Sequence, residues 1–171
     1  MWNNNGKQRP AFAIKPGPGQ ESVWDYPRPP VLAVFKPLVE VRCGDTIIAS
    51  STRCKRVLET ASPPTIYIPP DDIVPNGLIQ VPGRSFCEWK GAAAYLGLTD
   101  AAANSPAVAW TYPQPSKAFA AIRDWVCFYP GRIECYISGE RVRPQEGGFY
   151  GGWITDNIVG PWKGGPNTSG W

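Results

Sequence analysis

Twenty prolines and 18 glycines are spread through 171 residues. Proline fixes φ and removes a backbone donor, and glycine weakens helix and strand interiors alike. A chain so punctuated reads as short strands joined by tight loops. It does not read as disordered, because 8 Trp, 7 Tyr and 6 Phe are too many rings for an unfolded chain. The length suits one domain. The expectation is an all-β fold with short helices.

Three regions separate by composition. Residues 1–30 form a Pro/Gly-rich arm, with Trp24 and Tyr26 as anchors. Residues 31–144 hold the alternating patterns of a single β domain. Residues 145–171 are a Gly- and Trp-rich tail that either packs on its own domain or joins a neighbouring subunit. Within the domain, 39–49 reads as a hairpin turning at Gly44-Asp45. Thr65–Ile68 is a strand bounded by proline pairs, and residues 78–81 are another. Residues 85–96 read as strand-turn-strand about Gly91. Residues 107–110 form a strand, and Ser116 caps a short helix over 117–122. Residues 124–129 and 133–138 read as a hairpin about Pro130-Gly131-Arg132. That hairpin would place Cys127 opposite Cys135, with Trp125, Cys127, Tyr129, Ile133, Cys135 and Ile137 on one face.

The chain has no histidine. That excludes Ser-His-Asp and Cys-His catalysis, His-ligated zinc and imidazole switching. A net charge of +3 is too small for an electrostatic nucleic-acid binder. No apolar run reaches the ~18–20 residues of a membrane span, and the polar first 18 residues lack a signal-peptide core. The five cysteines form no CxxC pair, so no metal site is expected, and their odd number points to a reducing cytoplasm. No phosphate-cradling glycine motif calls for a cofactor.

Three constellations could carry chemistry. Cys87-Glu88-Trp89-Lys90-Gly91, with Tyr95 beyond, offers a thiol, a carboxylate, an amine and aromatic walls. On a continuous strand, Cys87 and Trp89 would share one face and Glu88 and Lys90 the other. Trp110 and Tyr112 share a face and, with Trp89 and Tyr67, could cage a flat or cationic ligand. Arg53, Arg56 and Glu59 lie beside Tyr67, and an Arg there would clamp an anion. Each group also reads as ordinary core or as surface ion pairs.

These residues resemble a known family. ESVWDYPRPP (21–30), RVLET with the following proline pairs and YIPP (56–70), CEWKGAAAY (87–95), AWTYPQP (109–115) and VCFYP (126–130) occur in the order seen in the domain of unknown function family number 427. The tail from 147 onward is similar to an extension of some members. The resemblance implies a β-tent-like fold, a sandwich of two antiparallel sheets. Methionine sulfoxide reductase B and the ligand-binding domain of cereblon have that architecture. It implies Cys87, Trp89, Lys90, Gly91, Tyr95, Trp110 and Tyr112 as pocket residues. Three departures stand out. The paired CxxC zinc motifs of relatives with that fold are absent. Ala61-Ser62 stand where members commonly have Ser-His, and Gln114 replaces an acidic residue. A nucleotidyltransferase label is attached to the family in places, but no paired-carboxylate metal motif supports it here.

The leading expectation is a non-catalytic module. It would bind a small flat or cationic ligand, or a peptide end, through Arg53, Glu59, Tyr67, Trp89, Lys90, Trp110 and Tyr112. One alternative is a His-independent enzyme using Cys87 or Lys90, with Tyr95 as proton donor. The other is a self-assembling protein joined through 145–171.

Overall fold

The computed structural model describes residues 3–171. Met1 and Trp2, which open the expected arm, lie outside the described residues. The strands are short, as the proline and glycine density requires. They are β1 (Glu21–Ser22), β2 (Val31–Phe35), β3 (Val39–Cys43), β4 (Thr46–Ser51) and β5 (Cys54–Leu58). Then come β6 (Thr65–Tyr67), β7 (Leu78–Cys87), β8 (Gly91–Leu98), β9 (Ala109–Thr111) and β10 (Val126–Phe128). The last are β11 (Glu134–Ile137), β12 (Glu140–Arg141), β13 (Arg143–Pro144), β14 (Trp153–Ile154) and β15 (Ile158–Val159). Three 3-10 turns intervene, at Val23–Asp25, Pro70–Asp72 and Lys117–Ile122.

Three antiparallel sheets make the body. The first runs β12-β11-β3-β4 and is the smaller sheet below. The other two, β2-β5-β6 and β10-β9-β8-β7, meet edge to edge and are together called the large sheet. Its seam is one bridge, with Ile68 N donating to Val126 O at 2.8 Å and Val126 N to Ile68 O at 3.0 Å. Alternation along the large sheet sorts its side chains. Ile66, Ile68, Ala109, Val126 and Phe128 face the smaller sheet and meet Val39, Val41 and Cys135 in the main core. Val57, Tyr67, Trp110 and Cys127 turn the other way into a second, aromatic cluster.

The expected hairpin of 124–129 with 133–138 does not form. β10 pairs with β9, and β11 pairs with β3. The turn after Tyr129 carries the chain from one sheet to the other. The reason lies in burial. Val126, Cys127 and Phe128 are buried on both faces, as an interior strand requires. Cys127 therefore faces the aromatic cluster and Cys135 the main core, and all five cysteines are free thiols.

Residues near both ends of the chain are knitted together. β1 pairs in parallel with β15. Trp24 is fully buried and its indole N–H donates to Pro161 O at 2.8 Å. Its ring also meets Phe12 and Trp171.

Glu21 ties β1 to the large sheet. It accepts hydrogen bonds from Arg56 Nη1 at 2.5 Å and from Tyr26 Oη at 2.5 Å. Burial resists its ionisation, but the two donors outweigh burial and hold its carboxyl below the usual value. The folded state thus binds fewer protons at this group than the unfolded state does, so its contribution is present above the unfolded pKa and lost as pH falls through the folded one. Wild-type protein should lose melting temperature as pH drops below about 4, and Glu21→Gln should lose less over the same range. A thermal melt series reads the difference. Asp25 beside Arg9 and Asp72 beside Arg53, both held low by those hydrogen bonds, account for the loss that remains.

Candidate functional site

Register brings the aromatic residues of the large sheet into one row. Tyr95 lies opposite Trp110, and Trp110 opposite Cys127. The Ile68–Val126 bridge sets Tyr67 on the far side of Cys127. Antiparallel neighbours share a face, so this row looks away from the main core. The Trp110 indole N–H donates to Tyr67 Oη at 3.2 Å, and the Trp110 and Tyr129 rings are 4.6 Å apart.

The segment after β13 folds over that row. Gly151 sits on the Trp110 ring so closely that a Cβ there would lie 2.3 Å from Trp110 Cη2. At Gly152 a Cβ would lie 2.4 Å from Gln145 Oε1 and 2.9 Å from Pro63. Glycine is required at both because backbone lies directly against side chain. Buried Gln145 holds the cover in place. Its Oε1 accepts from Gly152 N at 3.2 Å and its Nε2 donates to Lys163 O at 2.6 Å. Lys163 N in turn donates to Ala61 O at 2.9 Å.

Between cover and sheet lies a cavity of about 190 Å³. The sheet side contributes Val57, Thr65, Tyr67, Tyr95 and Trp110, with Ser85 and Cys87 from β7. Glu59, Ser62 and Pro63 line it from the loop after β5, and Lys90 from the turn before β8. Tyr129, Gln145, Phe149, Tyr150, Gly151, Gly152 and Lys163 complete the wall. Phe149 and Tyr150 are largely exposed at the rim and pack edge to face, 5.3 Å apart.

Two lysines, Lys90 and Lys163, and one acidic residue, Glu59, are among the residues that line this space. Lys90 Nζ lies 5.9 Å from the centre of the Tyr112 ring and 5.8 Å from that of Phe119. Lys163 has its pKa lowered, first by burial and then by the charge of Arg28, against the pull of Glu59 and Glu88. Burial also pushes the Tyr67 and Tyr129 hydroxyls up, so both stay neutral and able to donate.

The residues singled out in the sequence fall into two sets. Glu59, Tyr67, Cys87, Lys90, Tyr95 and Trp110 converge on the cavity. Arg53, Trp89 and Tyr112 do not line it. Arg53 is on the turn between β4 and β5, where Nη2 pairs with Asp72 Oδ1 at 2.8 Å. Arg56 leaves the group as well, because alternation along β5 sends it to the opposite face and to Glu21. Trp89 misses the site because the strand ends at Cys87. Gly91 has φ of +108°, so Glu88, Trp89 and Lys90 form a turn and the strand alternation stops there. Ser116 pins that turn, its Oγ donating to Trp89 O at 2.7 Å and its N to Lys90 O at 2.9 Å. Tyr112 is buried beneath Lys90. Sequence reasoning passed over Tyr129, Gln145 and Lys163. The only signal for the last two was a polar side chain among the glycines and rings of the tail.

Residues 31–139 match a family described as a domain of unknown function (DUF427). The match spans more than half of the chain and takes in β2 through β11. The chain belongs to this family. No curated protein matches it at a significant level. The family region supplies the sheet side of the cavity, from Val57 to Tyr129. Gln145, Gly151, Gly152 and Lys163 lie beyond it. Among the described residues, no group of three or more Cys, Asp or Glu is placed to hold a metal ion, and no helix is long and apolar enough to cross a membrane.

Proposed function

We propose that the chain is a binding module for a small planar molecule carrying a negative charge, taken up between the aromatic row and the cover. The carrying observation is one cavity in which the row of Tyr67, Trp110 and Tyr95 meets two lysines, Lys90 and Lys163, from distant parts of the sequence. A flat ring would stack or pack edge-on against the row. Its anionic group would be answered by the ammoniums and by neutral tyrosine hydroxyls. The volume falls below the ~300 Å³ at which drug-sized pockets begin, which suits a single-ring compound.

The positions of the protein's own cations argue against a cationic ligand. Arg132 lies 4.2 Å from the centre of the Tyr129 ring, so that ring of the wall already holds a cation, and the two lysines of the lining would repel a second one.

Benzoate serves as the test ligand and benzylammonium as its cationic counterpart. Isothermal titration should show saturable benzoate binding and none for benzylammonium. Native mass spectrometry of the freshly purified protein should show a companion mass that leaves on denaturation. A bare mass together with no benzoate heat would sink the reading.

A further inference from the structure

A second cavity, of about 240 Å³, lies on the other face of β5 and β6. The two cavities are back to back. Val57, Pro63, Tyr67 and Gly152 line the first, and their chain neighbours Arg56, Pro64, Ile66 and Trp153 line the second. Trp153 N donates to Pro64 O at 2.8 Å and ties the dividing wall together. The second cavity lies between the sheets, where the turn from β11 to β12 and the tail through β14 and β15 meet β2, β5 and β6.

Its floor is hydrocarbon, formed by Phe35, Ile66, Ile137, Trp153 and Ile158. The Trp153 indole N–H is spent on Phe128 O at 2.9 Å, so that ring has no hydrogen bond to offer the space. Water on such a floor lacks the roughly two to four partners that hold a buried water in place. Displacing it with an apolar group is favourable.

The charged groups of the lining are already matched. Arg56 holds Glu21 through Nη1 and Nη2, at 2.5 and 3.3 Å, and its guanidinium lies 5.6 Å from the centre of the Phe35 ring. Glu140 Oε2 accepts from Asp156 N at 2.8 Å and lies 3.6 Å from Arg143 Nη1. A charged ligand would have to break one of these pairs or leave water without an opposite charge to meet. Neutral hydrogen-bonding capacity remains. Asn157 accepts the Thr155 hydroxyl on Oδ1, and its Nδ2 has no hydrogen-bond partner among the described residues. The second Glu140 oxygen, Oε1, has none among them either.

We infer that this cavity binds an uncharged single-ring molecule bearing a hydroxyl or a carboxamide. An apolar cavity of roughly 150 Å³ takes up benzene. The larger space here, about 240 Å³, holds a ring with one substituent. The ring rests on the hydrocarbon floor. The substituent accepts from Asn157 Nδ2 and donates to Glu140 Oε1, which a hydroxyl or a carboxamide can do at once. The inference stands apart from the binding reading above, because the aromatic row is no part of this cavity.

The probe is benzyl alcohol, added to the full chain with its isoleucine and valine methyl groups labelled for NMR. Saturable shifts are expected, with nuclear Overhauser contacts from the ring protons to methyls of Ile66, Ile137 and Ile158. Benzoate and benzylammonium should make none of these contacts. Ile137→Phe puts extra carbon into the space and should weaken benzyl alcohol at least about tenfold. Asn157→Ala, on the exposed part of the tail, should weaken it about two- to tenfold, the worth of one hydrogen bond, and serves if the first variant does not fold. No saturation, or contacts to Val57 of the first cavity alone, would overturn the inference. Equal contacts from benzoate would overturn the assignment to uncharged molecules.

Discussion

Trp110→Ala is expected to abolish benzoate binding and to lower unfolding stability by about 3–5 kcal/mol, the range for removing a buried large aromatic side chain. Trp110 stands at the centre of the row. It is buried, donates to Tyr67, packs on Tyr129 and bears Gly151 on its ring. Its loss would remove the floor of the cavity and the seat of the cover together. Trp110→Phe separates these roles. It keeps a ring for Gly151 to rest on but leaves Tyr67 Oη without its donor, so a loss of about 1–2 kcal/mol is expected with weakened binding. Urea unfolding reads stability, and calorimetry at a urea-free temperature well below the melt reads binding. Unchanged benzoate affinity in a folded Trp110→Ala protein would place the binding site elsewhere.

Gly151→Ala is the second large effect. The added methyl would meet Trp110 Cη2 at 2.3 Å and Cζ3 at 2.5 Å. The indole is held by the sheet beneath it, so the cover must lift. Overpacking of this kind costs about 1–3 kcal/mol. The more telling readout is local: the 145–152 segment should become a proteolytic cut site and its amides should exchange faster. Gly148→Ala is the control. Nothing lies within 4 Å of a Cβ at Gly148, so that variant should behave as wild type. Equal protease resistance in the Gly151 and Gly148 variants would show that the cover does not depend on close approach to Trp110.

The chemistry of strands made part of this site legible in the sequence. Proline pairs around Thr65–Ile68 and period-two alternation through Trp110 marked short strands with an aromatic face, and the structure has them. Alternation says which residues share a face but not which strand lies alongside. That is why the apolar run through Cys127 reads as a hairpin arm in the sequence, whereas it is an interior strand paired with β9. A turn can also cancel alternation, as Gly91 does for Trp89. Arg53 and Arg56 sit three apart on one short stretch, yet their charges go to Asp72 and Glu21 on opposite sides of the fold. Lys163 and Gln145 had no periodicity to betray them. Their position depends on glycine backbone packing against an indole, a contact between residues some 40 positions apart in sequence that no local pattern encodes.

The pairing of β1 with β15 bears on how this molecule comes off the ribosome. Glu21 must wait for Ile158, and contacts so distant in sequence slow folding. A nascent chain that has emerged only as far as Pro144 has every strand of both main sheets but no cover. Trp110, Tyr67 and Trp24 would then face solvent, a sticky apolar surface of the kind that draws chaperones or neighbouring chains. Until residues 145–159 have emerged and docked, the assembled sheets carry that surface uncovered, and any delay in docking prolongs the exposure.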